Sequence, residues 1–277
     1  MTPQAQLSAE LETRLSELLA QDAPDEAEAA AIARVKAAPQ DARARLMLAD
    51  LSLLNGRLDR ADAQLNLAAD IVPEEAVGIG LIRAQLRGIF ARRKWFEEGA
   101  LPTFPKGPTA CDEAALRATL CARAGDAAAA AAALEALETA RGARPGLWNG
   151  RAVSDIRDLD DRFAHAIEAV TSGGDYLWVD LTLVASIAFE PPRLIRDLAW
   201  RRARLTLSDG ASADVLVPAV YPDAATAHER LGRTSDWHEV SGLTIGSGQR
   251  AFLAGDAMEA IMEAETIAFP TGPGGHG

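Results

Sequence analysis

LADLSLLNGRLDRADAQLNLAADIVP, residues 48–73, is the stretch from which the fold is read. Gly56 lies between two leucine-rich runs and permits a tight turn. Ala61 and Ala68 lie seven residues apart, which puts two small side chains on one helix face where a neighbouring helix can approach. Pro73 ends the second run. Leu48, Leu51, Leu54, Leu58, Leu65 and Leu67 place apolar surface nearly all round both helices, so the pair is expected to be sandwiched between others.

A weaker copy precedes it. Ala27 and Pro39 have the spacing of Ala61 and Pro73, and the two pairs are offset by 34 residues, the period of tetratricopeptide repeats. The expected helices run from about Ser8 to Ala20, Asp25 to Ala37, Asp41 to Gly56 and Asp59 to Pro73, with Asp41 as an N-cap. The period then slips. A longer helix is expected over 75–96, the Pro/Gly-rich GALPTFPKGP interrupts at 99–108, and two more helices are expected over 111–124 and 126–141. GARPGLWNG, 142–150, reads as a boundary.

Beyond it the spacing of Ile156, Leu159, Phe163, Ile167 and Val170 predicts one last helix over 155–171. Strands are expected at 176–180, 184–189, 199–207, 214–217, 237–240, 250–253 and 266–269, with Asp209-Gly210 as a hairpin turn of positive φ. The fold class is therefore α+β. Tetratricopeptide-like helical repeats occupy 1–145, a mostly β domain occupies 150–269, and 270–277 reads as a disordered tail.

With 28 Lys+Arg against 40 Asp+Glu the net charge is −12, which argues against a nucleic-acid partner. The start of the chain lacks the basic region of a signal peptide, and no apolar run reaches membrane-spanning length. A cytoplasmic protein without a membrane partner is expected. Cys111 and Cys121 form neither a CxxC pair nor half a zinc site and read as small packed side chains.

Chemistry-bearing residues are scattered. His165 with Asp161 makes at most a partial metal face, and His238 and Glu239 alternate across a strand, a poor acid/base pair. Gly242, Gly246 and Gly248 lack the Lys-Ser/Thr ending of a phosphate loop and read as a tight β connection. Ser247 in Gly-Ser-Gly is not a nucleophile elbow. Asp158, Asp160 and Asp161 read as a solvated helix face, and Arg201, Arg202 and Arg204 as an exposed or edge-strand run. No catalytic, cofactor-binding or metal residues emerge, so no enzyme and no cofactor are expected.

Surface recognition is what remains. In the repeat register the inner helix presents Arg43, Leu46, Asp50 and Leu53 to the concave face, and the next helix adds Arg87. Leu46 and Asp50 occupy the places where a carboxylate clamp carries Lys and Asn, which disfavours a chain-terminus clamp. Leu46 and Leu53 suit an amphipathic helix instead. An enzyme site in the β half and a general scaffold for another complex are the alternatives.

GIGLIRAQLRGIFA, DLDDRFAHAIEAVTSGGDYLWVD, RDLAWRRARLTLSDGASADVLVPAVYP, LGRTSDW and GSGQRAFL, together with the opening stretch, follow in an order and spacing that resemble the ImpE/TagJ family, also described as SciE-type. The resemblance spans about residues 45–269, although Val220 stands where the family often carries Arg before Tyr-Pro. It implies a virulence-associated bacterial adaptor of type VI secretion. That adaptor would bind the N-terminal helix of the small contractile-sheath subunit and influence sheath handling by the disassembly ATPase ClpV.

Overall fold

The computed structural model describes residues 3–270, and side-chain burial from residue 9 onward. Seven helices come first: α1 Pro3–Ala20, α2 Pro24–Ala37, α3 Ala42–Leu54, α4 Leu58–Ile71, α5 Ala76–Glu98, α6 Ala110–Arg123 and α7 Ala127–Arg141. Their ends follow the expected punctuation. Asp41 caps α3 by accepting from the Ala44 N–H, Gly56 turns at φ +70, and Thr109 and Asp112 form a capping box at α6. Ala27, Ala61 and Ala68 are fully buried, as the repeat register requires.

One polar cluster ties the repeats together. The fully buried Glu28 carboxylate of α2 accepts from Ser52 at 2.7 Å, Asn55 at 3.0 Å and Arg60 at 2.8 Å, and it pairs with Arg57. Burial alone would raise this carboxyl; the donors around it outweigh burial and hold it below its ordinary value. α3 is buried nearly all round, as expected, but α4 buries a single face and leaves Leu67 41% exposed.

Among the described residues the β part has thirteen short strands and a short helix α8, Ala227–Arg230. Eight strands form one antiparallel sheet in the order β2 (Arg151–Val153), β1 (Gly146–Trp148), β13 (Thr266–Ala268), β6 (Val184–Phe189), β7 (Trp200–Leu207), β8 (Ser212–Pro218), β4 (Ala166–Thr171), β5 (Tyr176–Asp180). A smaller sheet joins β12 (Ala257–Ala260), β11 (Ala251–Ala254) and β3 (Ile156–Asp158), and β9 (Ser235–Val240) pairs with β10 (Leu243–Gly248) in a hairpin. The β7–β8 hairpin turns at Gly210 with φ +86, as expected.

Strand alternation divides the large sheet's side chains between two cores. Ile167, Val179, Leu205 and Val217 face a core shared with Trp148, Phe252 and Ile267. Val170, Trp178, Trp200 and Leu216, from the same four strands, join the core of the helices. The helical repeats and the sheet thus share one apolar core. Two glycines mark how closely they meet. A Cβ on Gly88 of α5 would lie 2.6 Å from Val170, and one on Gly174 would lie 2.3 Å from the Ala84 carbonyl oxygen.

Several expectations are corrected. No α-helix forms over 155–171, which holds only the 3-10 turn Asp161–Phe163 between β3 and β4. Asp158 accepts from the Asp160 N–H and Asp160 from the Arg162 N–H, both at 2.9 Å, so these side chains fold the backbone into turns that compete with a helix. The apolar run that follows becomes β4, buried on both faces between β5 and β8. The aspartates are accordingly not a solvated face, since Asp158 and Asp160 are fully buried. Arg201–Arg204 is not an edge run. β7 is interior, and the buried Arg201 donates to the carbonyl oxygens of Ile261, Glu190 and Ala264. Residues 142–150 contain β1, the expected tight β connection is confined to the Ser241-Gly242 turn while 243–248 form a strand, and the Thr103 backbone pairs with Tyr176 and Trp178 to cover the edge of β5. The expected disorder of 270–277 falls, apart from Pro270, outside the described residues.

Candidate partner-binding cleft

The expected concave-face residues are dispersed. Arg43 pairs with Glu12 of α1, and Leu46 is half-buried against the helical core. Asp50 is buried against Arg196 at 2.8 Å, because the turn 195–198 of the chain itself lies on α3. Burial raises the Asp50 carboxyl to about 6, with Arg196 opposing. Arg87 is exposed and reaches the Gly173 carbonyl at 3.4 Å. Leu53 is buried but lines an opening, and that opening is the candidate site.

The opening is a cavity of about 370 Å³ between the α3–α4 turn (Leu53, Gly56), the last turns of α5 (Ile89, Phe96) and the β part (Trp200, Val220). A second cavity of about 410 Å³ lies between α6 (Ala122) and the β9–β10 hairpin (Val240, Leu243, Ile245). Phe96 and Asp223 line both, so the two cavities meet at the Phe96 ring. That ring is held by two guanidinium groups, Arg92 at 5.3 Å and Arg162 at 5.2 Å from its centroid, and stands edge-on to Phe163.

Beneath the cleft lies a buried network of three arginines and three carboxylates. Arg92 of α5 donates to Glu168 of β4 at 2.8 and 3.1 Å, Arg250 pairs with the same carboxylate, and the Tyr176 hydroxyl donates to it at 2.5 Å. Burial would raise Glu168; Arg92 and Arg250 overcome that and hold it at about 2. Asp158 accepts from the Tyr221 hydroxyl at 2.7 Å but has Arg250 only at 3.5 Å, and burial pushes it up to about 7. Arg162 chelates Asp160 and reaches Asp223 at 3.2 Å. The Asp160 and Asp161 carboxylates also accept the N–H groups of Gly246 and Thr244, so the outer edge of β10 is capped by side chains.

Most of these groups satisfy one another, while Asp158 Oδ2 and Arg250 Nε and Nη1 have no hydrogen-bond partner. Chemically they make a floor, and the cleft above them sets Leu53, Ile89, Phe96 and Trp200 beside Arg93, Glu97, Asp223 and Arg230, a mixed lining that suits an amphipathic helix.

Two of the histidines lie in polar pairs. His165 is buried and meets Asp112 of α6 at 2.9 Å, while its expected neighbour Asp161 accepts from the Thr244 N–H. His238 Nε2 lies 3.3 Å from the Ser247 hydroxyl, and nearby the Glu229 carboxyl is held at about 2 chiefly by the Thr226 N–H. Among the described residues no group of His, Cys, Asp or Glu is placed to hold a metal ion, and no helix is long and apolar enough to cross a membrane.

Phe96, Trp200 and Val240 were missed from sequence. The alternation of Phe90, Trp95 and Phe96 with Arg92 and Arg93 was the available signal; the facing hairpin had none, because Val240 reaches the cleft only through tertiary packing.

Residues 150–268 match the family model described as ImpE protein. The chain is 27% identical to the type VI secretion system accessory component TagJ of Pseudomonas aeruginosa, over 91% of this chain and 90% of that one. The crystal structure of protein VPA1032 from Vibrio parahaemolyticus superposes with a TM-score of 0.86 at 23% identity, over 93% of this chain and 97% of that one, which shows the α+β fold. The ImpE match covers the β part, and the resemblance read from the residues is supported by two separate matches.

Proposed function

We propose that this ImpE-type relative of TagJ is a non-enzymatic, cytoplasmic adaptor of the type VI secretion system. In this reading it captures the N-terminal helix of the small contractile-sheath subunit and so modulates sheath assembly and disassembly, with ClpV as a further partner. The observation that carries the docking site is the pair of cavities meeting at Phe96. Their apolar side chains suit the spaced anchors of an amphipathic helix and their charged ones its polar face, and the ion-paired groups beneath hold the lining in place. The repeats of 1–145 and the β region of 150–269 both contribute walls, so the cleft needs the two acting as one body.

The test is a binding assay with the small sheath subunit, intact and lacking its first helix. A complex with the intact subunit alone supports the proposal. Equal binding of both forms, or of neither, refutes it. Capture of a different helical partner with no sheath binding would favour the general scaffold.

A further inference from the structure

Most apolar side chains of the helical repeats are packed, but one surface is not. Val77 is 81% exposed and Leu81 is 54% exposed, one turn apart on α5. Leu67 of α4 is also exposed, and Leu67 and Leu81 each lie seven residues from Glu74, so the antiparallel hairpin sets them at one level. Gly78 and Gly80 meet nothing within 4 Å of where a Cβ would stand, which leaves the α5 backbone itself open to close approach. Asp70, Glu74 and Glu75 are exposed beside this surface, and none forms an ion pair among the described residues. The neighbouring Arg83 is already committed to Asp62 at 2.7 Å and to Asn66 at 2.8 Å.

We infer that the outer face of the α4–α5 hairpin is a second docking surface, separate from the cleft, and that it takes a basic amphipathic helix. The reasoning is complementarity. The exposed Val77 and Leu81 give an apolar strip of helical spacing, and the carboxylates beside it, Glu74 and Glu75 with Asp70 near Arg83, select lysine or arginine at the partner's flanks. Repeat geometry supports a helix as the occupant. Helices α1 to α5 stack in succession, and α5 has no following repeat helix on this face, since the chain turns away into 99–109. A partner helix would take the next place in the stack. Two independent surfaces would let one chain bridge two components.

The probe is a synthetic amphipathic peptide of leucine and lysine, with the matching leucine–glutamate peptide as its control, titrated by fluorescence anisotropy and footprinted by hydrogen exchange. The lysine peptide should bind and protect amides within 67–81. Binding should weaken about tenfold or more, the equivalent of 1.4 kcal/mol, in the double variant Val77→Ser/Leu81→Ser, and again in Glu74→Lys/Glu75→Lys. Phe96→Ala should leave the footprint unchanged, which separates this surface from the proposed cleft. Equal binding of the glutamate peptide, protection outside the hairpin, or indifference to both double variants overturns the inference. So would a concentration-dependent dimer abolished by Leu81→Ser, which would make a second copy the occupant.

Discussion

Replacing Glu168 by alanine removes the carboxylate on which Arg92, Arg250 and Tyr176 converge, and leaves two guanidinium groups buried with poor alternatives. Arg92 would keep only the Val220 carbonyl at 3.4 Å, and Arg250 only Asp158 at 3.5 Å. Stranding a buried partner charge costs about 3–5 kcal/mol. For a chain of this size that lowers the melting temperature by roughly 6–20 °C, at about 2–4 °C per kcal/mol. Because Arg92 belongs to α5 and Glu168 to β4, helical circular dichroism and tryptophan fluorescence from the Trp95–Trp178 contact should shift together. The pH dependence has a definite sign. Glu168 is held at about 2 against an ordinary 4.5, so its stabilisation is complete above pH 4.5 and fades as pH falls through 2. The penalty of Glu168→Ala should persist from pH 5 to 8 and shrink below pH 4. Glu97→Ala, at an exposed position on α5, is the control. A loss below about 1 kcal/mol, the scale of exposed ion pairs, or movement of one signal without the other, would refute the network's role.

Gly174→Ala should cost about 1–3 kcal/mol by overpacking against Ala84, with strain at φ +95 added, whereas Gly173→Ala should be far milder; equal melts would contradict the close approach. Ala61→Leu should destabilise by about 1–3 kcal/mol and Gln64→Leu much less, since Ala61 is fully buried and Gln64 only partly; equally harmless changes would place the repeat register elsewhere. Asp158, raised to about 7, retains a proton in the folded chain that the unfolded chain gives up near 3.8, so this group makes stability fall as pH rises between those values. Asp158→Asn should flatten that part of the pH–stability profile, and an unchanged slope would count against the buried proton.

The helical half was legible because its signals are local. Asp41, Gly56, Asp126 and the prolines act on the nearest turn of backbone, and Ala61 needs only helical periodicity to declare a packed face. Where the reading failed, the deciding partners were distant. Ile156, Phe163, Ile167 and Val170 do have helical spacing, but aspartate turns within 158–162 and pairing of β4 with β5 and β8 outweigh it. Arg201 looked like surface charge because the carbonyl oxygens that accept from it lie about sixty residues onward, at Ile261 and Ala264. The concave face was read as open because nothing near α3 announces that residues 195–198 return to lie on it through Arg196 and Asp50. Of the expected binding residues only Leu53 borders the cleft, and the aromatic ridge that divides it became visible once α5 met the hairpin.

The most direct measurement is a titration of the labelled N-terminal helix of the small sheath subunit against the wild-type chain, Phe96→Ala and Val240→Asp, each first shown to be folded by its melt. A central aromatic anchor is worth about 2 kcal/mol or more, so Phe96→Ala should weaken binding by about thirtyfold. Val240→Asp, which puts a charge on a half-exposed wall, should weaken it comparably. Full affinity in both variants, with loss in Val77→Ser/Leu81→Ser instead, would contradict docking in the cleft and move the sheath helix to the α4–α5 hairpin.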